Sequence, residues 1–182
     1  ASLGFDATKV CLQTGDPLDG REAYIRTQQT NFTKLIVSAM EKASPMADAV
    51  IINSGSIRVD DILQMPVTQY DVIRSLPFGG SIMEVDMKGS LLIKILNAAK
   101  MNVGSGGFLQ YSAALSNGTN GWLLKNIPVD AGKVYKIAIT DFLMTGGEAN
   151  LDFLTKDNPD IVKVYPVFTD MNDSRSDVRR AI

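Results

Sequence analysis

Apolar residues recur along this chain with two different periods, and the changes between them outline its elements. From Asn31 onward, Phe32, Leu35, Ile36, Ala39 and Met40 fall three and four apart. That spacing predicts an amphipathic helix, capped by Thr30 or Asn31 and closed at Ser44-Pro45. Ala49-Val50-Ile51-Ile52 is an unbroken apolar run, read as a buried strand that ends in the small-residue loop Asn53 to Arg58. Val67 to Leu76 reads as another short strand, leading into Pro77-Phe78-Gly79-Gly80. Ser81 to Met87 alternates as a strand, Lys88-Gly89 turns, and Ser90 to Met101 returns to helical spacing through Leu91, Leu92, Ile95, Leu96 and Ala99. Gly104 to Gly107 is a loop, Phe108 to Leu115 a strand, Asn117-Gly118 a turn and Trp122 to Ile127 the returning strand. Val134 to Ile139 alternates and runs into Asp141-Phe142, then Thr145-Gly146-Gly147-Glu148. Ser174 to Ile182 reads as a short final helix. Helices and strands mix without strict alternation, which points to an α+β domain with a mixed sheet.

Composition narrows the chemistry. The 182 residues suffice for one ordinary domain, with 45% hydrophobic and 21% charged residues, the balance of a globular protein. The net charge is −2, and no run of Lys or Arg gathers into a stripe, so nucleic acid is a poor partner. No stretch approaches the ~20 apolar residues of a membrane span. Ala1 to Val10 lacks the pattern of a secretory leader and reads as a cut within a longer protein. The chain has no histidine and one cysteine, Cys11. A histidine-ligated zinc site, a Ser-His-Asp triad and a Cys-His pair are therefore excluded within it. The acidic residues form no ligand-like cluster in sequence; Asp60-Asp61 comes nearest and reads as a solvated turn.

Three loops share a design: each follows a predicted strand and carries glycines beside an arginine or a phenylalanine. Arg58 ends the first, where a guanidinium can grip a carboxylate or phosphate through two parallel hydrogen bonds. Phe78 and Phe142 stand at the mouths of the other two, where a pair of rings could sandwich a flat heterocycle. Each residue also has a plain reading: phenylalanine after a strand usually packs in a core, paired glycines usually turn, and a single arginine is usually surface charge. The residues alone support a mixed α/β domain with a planar-anion site on strand-end loops, and do not name a substrate.

Five segments in order resemble the C-terminal domain of the 5′-nucleotidase family, which includes UDP-sugar hydrolases and 2′,3′-cyclic-nucleotide phosphodiesterases. They are Arg26-Thr27-Gln28-Gln29-Thr30-Asn31, Asn53-Ser54-Gly55-Ser56-Ile57-Arg58, Leu76-Pro77-Phe78-Gly79-Gly80, Gly107-Phe108-Leu109-Gln110 and Asp141-Phe142-Leu143-Met144-Thr145-Gly146-Gly147. The resemblance implies a single compact domain over residues 18–182, a four-layer α/β/β/α arrangement of mixed sheets flanked by helices. Residues 1–17 would be the remnant of an interdomain linker or a first strand. It implies that Arg26 contacts the phosphate or ribose region, that Asn53 and Arg58 hold the substrate, and that Phe78 and Phe142 stack on the base. Gly55, Gly79, Gly80, Gly146 and Gly147 would support these loops. Glu148 stands where the family usually has an aspartate that binds base or ribose, Ala149 where a glycine is common, and Gly80 where some members carry a base-contacting asparagine, so base preference is open.

The same resemblance implies no catalytic residue and no cofactor in this chain. Two divalent metal ions would sit on an N-terminal metallophosphoesterase domain of the same polypeptide, with a nucleotide or nucleoside as ligand. The parent would be periplasmic, secreted or at the cell surface. A rival reading is a stand-alone ligand-binding or interaction domain that has lost hydrolase function. A relative acting on another small anion, as the thiosulfohydrolases do, is disfavoured by the paired phenylalanines, since an inorganic group offers no face to stack on.

Overall fold

The computed structural model describes residues 4–182; of the expected linker remnant, residues 1–3 lie outside that range. Its strands are β1 (Val10–Leu12), β2 (Leu18–Asp19), β3 (Ala49–Asn53), β4 (Ile62–Leu63), β5 (Val67–Thr68), β6 (Ile82–Lys88), β7 (Leu109–Tyr111), β8 (Leu115–Gly118), β9 (Gly121–Leu124), β10 (Ile127–Pro128), β11 (Val134–Thr140) and β12 (Ile161–Val164). Its helices are α1 (Glu22–Ile25), α2 (Asn31–Ala43), α3 (Gln69–Ser75), α4 (Gly89–Lys100) and α5 (Val178–Ala181). Five strands make the main sheet in the order β12-β6-β11-β3-β7. Within it β3 and β11 run parallel, and every other neighbouring pair is antiparallel. A three-stranded sheet, β10-β9-β8, and the pairs β1-β5 and β2-β4 complete the set. The α+β class with mixed sheets flanked by helices is what forms.

The period-two alternation of a strand sends successive side chains to opposite faces of the main sheet. Val50 and Ile52 of β3 and Ala138 of β11 share one core with Phe32, Ile36, Val37 and Met40 of α2. Ile51, Ile137 and Ile139 share the other with Leu91, Leu92, Ile95 and Leu96 of α4. Covered on both faces, β3 has to be apolar throughout, which is why it reads as a run and not as an alternation. Each fully buried Leu or Ile side chain contributes on the order of 1.5–3 kcal/mol relative to exposure. The small sheet joins the α4 core through Leu115, Trp122 and Leu124, and Trp122 Nε1 donates to Asn97 Oδ1 of α4 at 2.9 Å.

Helix α2 starts as its sequence predicts. Thr30 is its cap, accepting from the Thr33 N–H at 3.3 Å, while the Thr30 N–H donates to Thr33 Oγ1 at 2.8 Å. Five expectations need correction. Residues 108–115 divide into β7 and the start of β8, and residues 122–127 divide between β9 and β10. Residues 67–76 are not one strand: β5 ends at Thr68 and α3 begins. Thr68 and Asp71 cap each other there, with the Thr68 N–H donating to Asp71 Oδ2 at 2.9 Å and the Asp71 N–H to Thr68 Oγ1 at 3.3 Å. Gly89 is not a turn but the first residue of α4; a Cβ there would run into the Asp130 carbonyl oxygen, so the helix start packs directly on the 130–133 turn. The expected turn at Asn117-Gly118 falls two residues later, because β8 continues to Gly118 and pairs it with Gly121. Strand β12 has no counterpart in the sequence reading; it lies along the edge of β6.

Beyond β12 the chain runs back beneath the sheet. Tyr165 donates to Asp86 Oδ2 at 2.7 Å, and Arg175 bonds both Glu84 and Asp173 while its guanidinium lies 3.6 Å from the centre of the Phe168 ring. Asp177 then caps α5, and the Val178 N–H donates to the Gly80 carbonyl at 2.8 Å.

Candidate functional site

Strand polarity gathers the glycine loops. With β3 and β11 parallel, and β6 and β7 opposed to them, the ends of the first pair and the starts of the second share one edge of the sheet. The register places Asn53 beside Leu109 and Thr140 beside Ile82. Loops 54–58, 77–81, 104–108 and 141–148 therefore converge. Between three of them lies a cavity of about 540 Å³, lined by Asn53, Gly55 and Ser56, by Phe78, Gly79 and Gly80, and by Thr140, Asp141, Phe142 and Glu148.

Both phenylalanines are exposed, Phe78 at 73% and Phe142 at 44%. The core reading of these rings therefore fails: an apolar ring left in water beside a cavity is available to a ligand. Arg58 lies outside the lining, with its guanidinium carbon 5.9 Å from the centre of the Phe78 ring. Its own N–H donates to the Ser75 carbonyl at 2.8 Å, which anchors the loop while the side chain stays exposed.

Asn53 is buried and ties two loops together. Its Nδ2 donates to Glu148 Oε2 at 2.9 Å, and its Oδ1 accepts from the Ser56 hydroxyl at 2.6 Å. The other oxygen of Glu148 accepts from the Ala149 N–H at 3.0 Å. The longer glutamate is thus accommodated by folding back on its own backbone and onto Asn53. Asp141 links the remaining two loops: its Oδ1 accepts from the Phe142 N–H at 2.8 Å and its Oδ2 from the Ser81 N–H at 3.2 Å.

The glycines act by close approach. A Cβ on Gly55 would lie 3.1 Å from the Gly106 carbonyl oxygen, to which Gly55 itself donates at 2.7 Å. Gly79 and Gly80 have φ of +61° and +100°, a region side chains rarely adopt. Beneath Gly79 sits the Arg179–Asp177 pair, N–O 2.7 Å. Burial pushes the Asp177 carboxyl up, but hydrogen bonds from Arg179 outweigh it and hold the group below the usual carboxylate range. Gly146 and Gly147 stand outside the lining as supports: a Cβ on Gly147 would touch the Phe142 ring at 3.4 Å, and one on Gly146 would press the Asp152 carbonyl.

Seven of the eleven expected positions thus line one cavity: Asn53, Gly55, Phe78, Gly79, Gly80, Phe142 and Glu148. Arg26 is not among them. Its guanidinium pairs with Glu22 at 2.7 Å, one turn back along α1, and its Nε is buried with no partner among the described residues. Glu22 lies outside the five motifs, although an acid four residues before a basic one on a helix is a recognisable pair. Ser56, Thr140 and Asp141 also line the cavity, none of them singled out by the motifs. The signal for Asp141 was its place directly after a strand and before the exposed ring. Among the described residues, no three His, Cys, Asp or Glu side chains come together as a metal-binding set, and no helix is long and apolar enough to cross a membrane.

The family profile described as "5′-nucleotidase, C-terminal domain" matches residues 10–155. Protein UshA of Yersinia enterocolitica is 33% identical over 137 residues, covering 72% of this chain and 24% of that protein. A 5′-nucleotidase of Vibrio parahaemolyticus is 37% identical over 102 residues, covering 55% of this chain and 18% of that protein. The chain thus spans about a quarter or less of the length of these curated relatives. Its backbone superposes on a 5′-nucleotidase precursor from Thermus thermophilus with a TM-score of 0.70 at 20% identity, covering 96% of this chain and 35% of that one. It superposes on the Haemophilus influenzae NAD nucleotidase with a TM-score of 0.67 at 20% identity, covering 98% and 34%. At that identity the structural likeness speaks for the fold.

Proposed function

The chain belongs to the 5′-nucleotidase C-terminal domain family, and from that premise we propose that it is the nucleotide-recognising part of a metal-dependent phosphoesterase that hydrolyses nucleotide phosphate esters. The observation that carries this reading is the single cavity in which two exposed phenylalanines meet the bonded pair Asn53–Glu148. Phe78 and Phe142 take the two faces of the base, each worth about 1–3 kcal/mol. Glu148, held by Asn53, accepts from ribose hydroxyls. The carboxylates of Asp141 and Glu148 disfavour an anion on the cavity floor, so the phosphate points outward, toward the guanidinium of Arg58. Arg26 reaches the phosphate only by exchanging Glu22 for it.

Hydrolysis belongs to the N-terminal metallophosphoesterase domain of the same polypeptide, which holds two divalent ions and the attacking water. The acidic residues described in this chain do not converge into a seat for such ions. Its part is to bind the nucleoside and orient the ester, and near-attack geometry of that kind is worth about 7–11 kcal/mol. A parent exported to the periplasm, cell surface or medium fits the same reading.

Without the metals, binding is weak, with Kd of order 0.1–1 mM, or roughly −4 to −5.5 kcal/mol. Saturation-transfer NMR with AMP, GMP, UMP, a UDP-sugar and adenosine tests the proposal directly. Saturable nucleotide binding is expected. No transfer to any of them at several millimolar refutes it. Hydrolysis by the full-length protein separates the phosphoesterase from a stand-alone binding domain that has lost it.

A further inference from the structure

Resting on that reading, we propose that the Asp141 carboxylate reads the edge of the base and makes this a guanine-selecting site. Both Asp141 oxygens are fixed in place, one by the Phe142 N–H and the other by the Ser81 N–H. The carboxylate is thereby held between the two loops that carry the stacking rings. Each oxygen can accept two hydrogen bonds, so each retains capacity for one more. Asp141 makes no ion pair among the described residues, so no cation already answers its charge.

Gly80 is what leaves this carboxylate open. A Cβ at that position would lie 2.8 Å from Asp141 Oδ1 and 3.6 Å from Cγ, crowding the group. An independent feature lies beside it: Thr140, only 3% exposed, lines the same cavity, and its Oγ1 has no partner among the described residues. The cavity thus offers a fixed pair of acceptors, with an unpartnered hydroxyl buried in its wall.

Among the common bases, guanine complements that set. Its N1–H and N2–H₂ are adjacent donors, suited to two carboxylate oxygens. Adenine and cytosine place a ring-nitrogen acceptor beside their amino group, opposite a carboxylate oxygen. Uracil has one N–H between two carbonyls. An unpaired or opposed polar group costs more than a missing contact, so discrimination comes largely from penalties on the wrong bases.

Isothermal titration of the wild-type chain with GMP, IMP, AMP and UMP tests this. GMP is expected to bind about tenfold more tightly than AMP, with IMP, which lacks the 2-amino group, in between. Asp141→Asn exchanges one acceptor for a donor and should weaken GMP and tighten AMP, erasing the wild-type order. Equal affinity for GMP and AMP in the wild type overturns the inference, as does an Asp141→Asn variant that weakens all four equally. If that variant does not fold, the wild-type order alone decides. Binding without base order sinks only the role of Asp141; no binding at all sinks the nucleotide site with it.

Discussion

Truncation of Phe78 to alanine separates binding from folding more cleanly than any other change at this site. The ring is 73% exposed, so only about a quarter of a side chain of roughly 200 Å² is packed, or ~50 Å². At ~25 cal/mol per Å² its removal costs about 1 kcal/mol of stability. The Arg58 contact, at 5.9 Å near the outer limit for such pairs, adds at most ~0.5 kcal/mol. For a chain of this size the melting temperature should fall by only about 2–4 °C. A ligand sandwiched between the rings loses one whole stacking face, about 1–3 kcal/mol, which is roughly a five- to 150-fold loss of affinity. Phe142→Ala is less clean, because that ring is only 44% exposed and more of it is packed. Paired thermal melts and saturation-transfer titrations of wild type and Phe78→Ala read both quantities. A variant that keeps nucleotide affinity within about twofold of wild type would refute the stacking role. A fall in melting temperature well beyond about 4 °C would show that the ring is structural.

The other expectations concern the scaffold. Gly55→Ala should lower stability by about 1–3 kcal/mol and weaken ligand binding, since the new Cβ meets backbone atoms of Gly106 at 3.1–3.2 Å that cannot rotate away; thermal melts that match wild type would contradict this. Thr68→Ala removes the reciprocal cap of α3 and should cost about 1 kcal/mol in urea unfolding with no effect on ligand affinity. Acid should be felt below about pH 4. A hydrogen bond from Arg175 holds the Asp173 carboxyl down to about 2. Burial pushes Asp71 and Asp177 up, but hydrogen bonds from Thr68 and Arg74 to the first, and from Arg179 to the second, keep both below the usual range. Carboxyls depressed in the fold stabilise it above their unfolded pKa, ~3.9, and that contribution is lost as pH falls through the lower folded value. The urea midpoint should therefore decline between about pH 4 and pH 2. With no histidine in the chain, no imidazole adds a step between about pH 5 and 8, and a steep change there would count against this assignment.

The elements whose burial pattern is strong were legible. Strands β6 and β11 and helices α2 and α4 carry a clear period and β3 an unbroken apolar run, because each element buries one or two apolar faces in the cores on either side of the main sheet. Helix α3 was lost because Val67, Val72 and Ile73 favour strand locally, and the decisive signal was the polar pair Thr68 and Asp71. Strand β12 was lost because an edge strand buries little: Ile161-Val162-Lys163-Val164 is half-exposed or exposed throughout. At the site, spacing along the chain could nominate Phe78, Phe142 and Asn53. It could not show that strand polarity would bring their loops to one edge, nor that Glu22 would engage Arg26. The place of Asp141 rests on two backbone hydrogen bonds, which only the folded chain displays.

The loop bearing Phe78 is braced from below at three points: the Gly79 N–H donates to the Leu76 carbonyl, the Gly80 carbonyl accepts from Val178, and the Ser81 N–H donates to Asp141. Its backbone is therefore ordered by folding and not by the ligand. Ordering a flexible loop at the moment of capture would subtract from the small affinity expected of this site. A receptor set in advance also keeps its grip reversible and quick, since nothing needs to unlock before the ligand departs. If the domain hands a substrate onward, as proposed above, fast release counts for as much as tight binding.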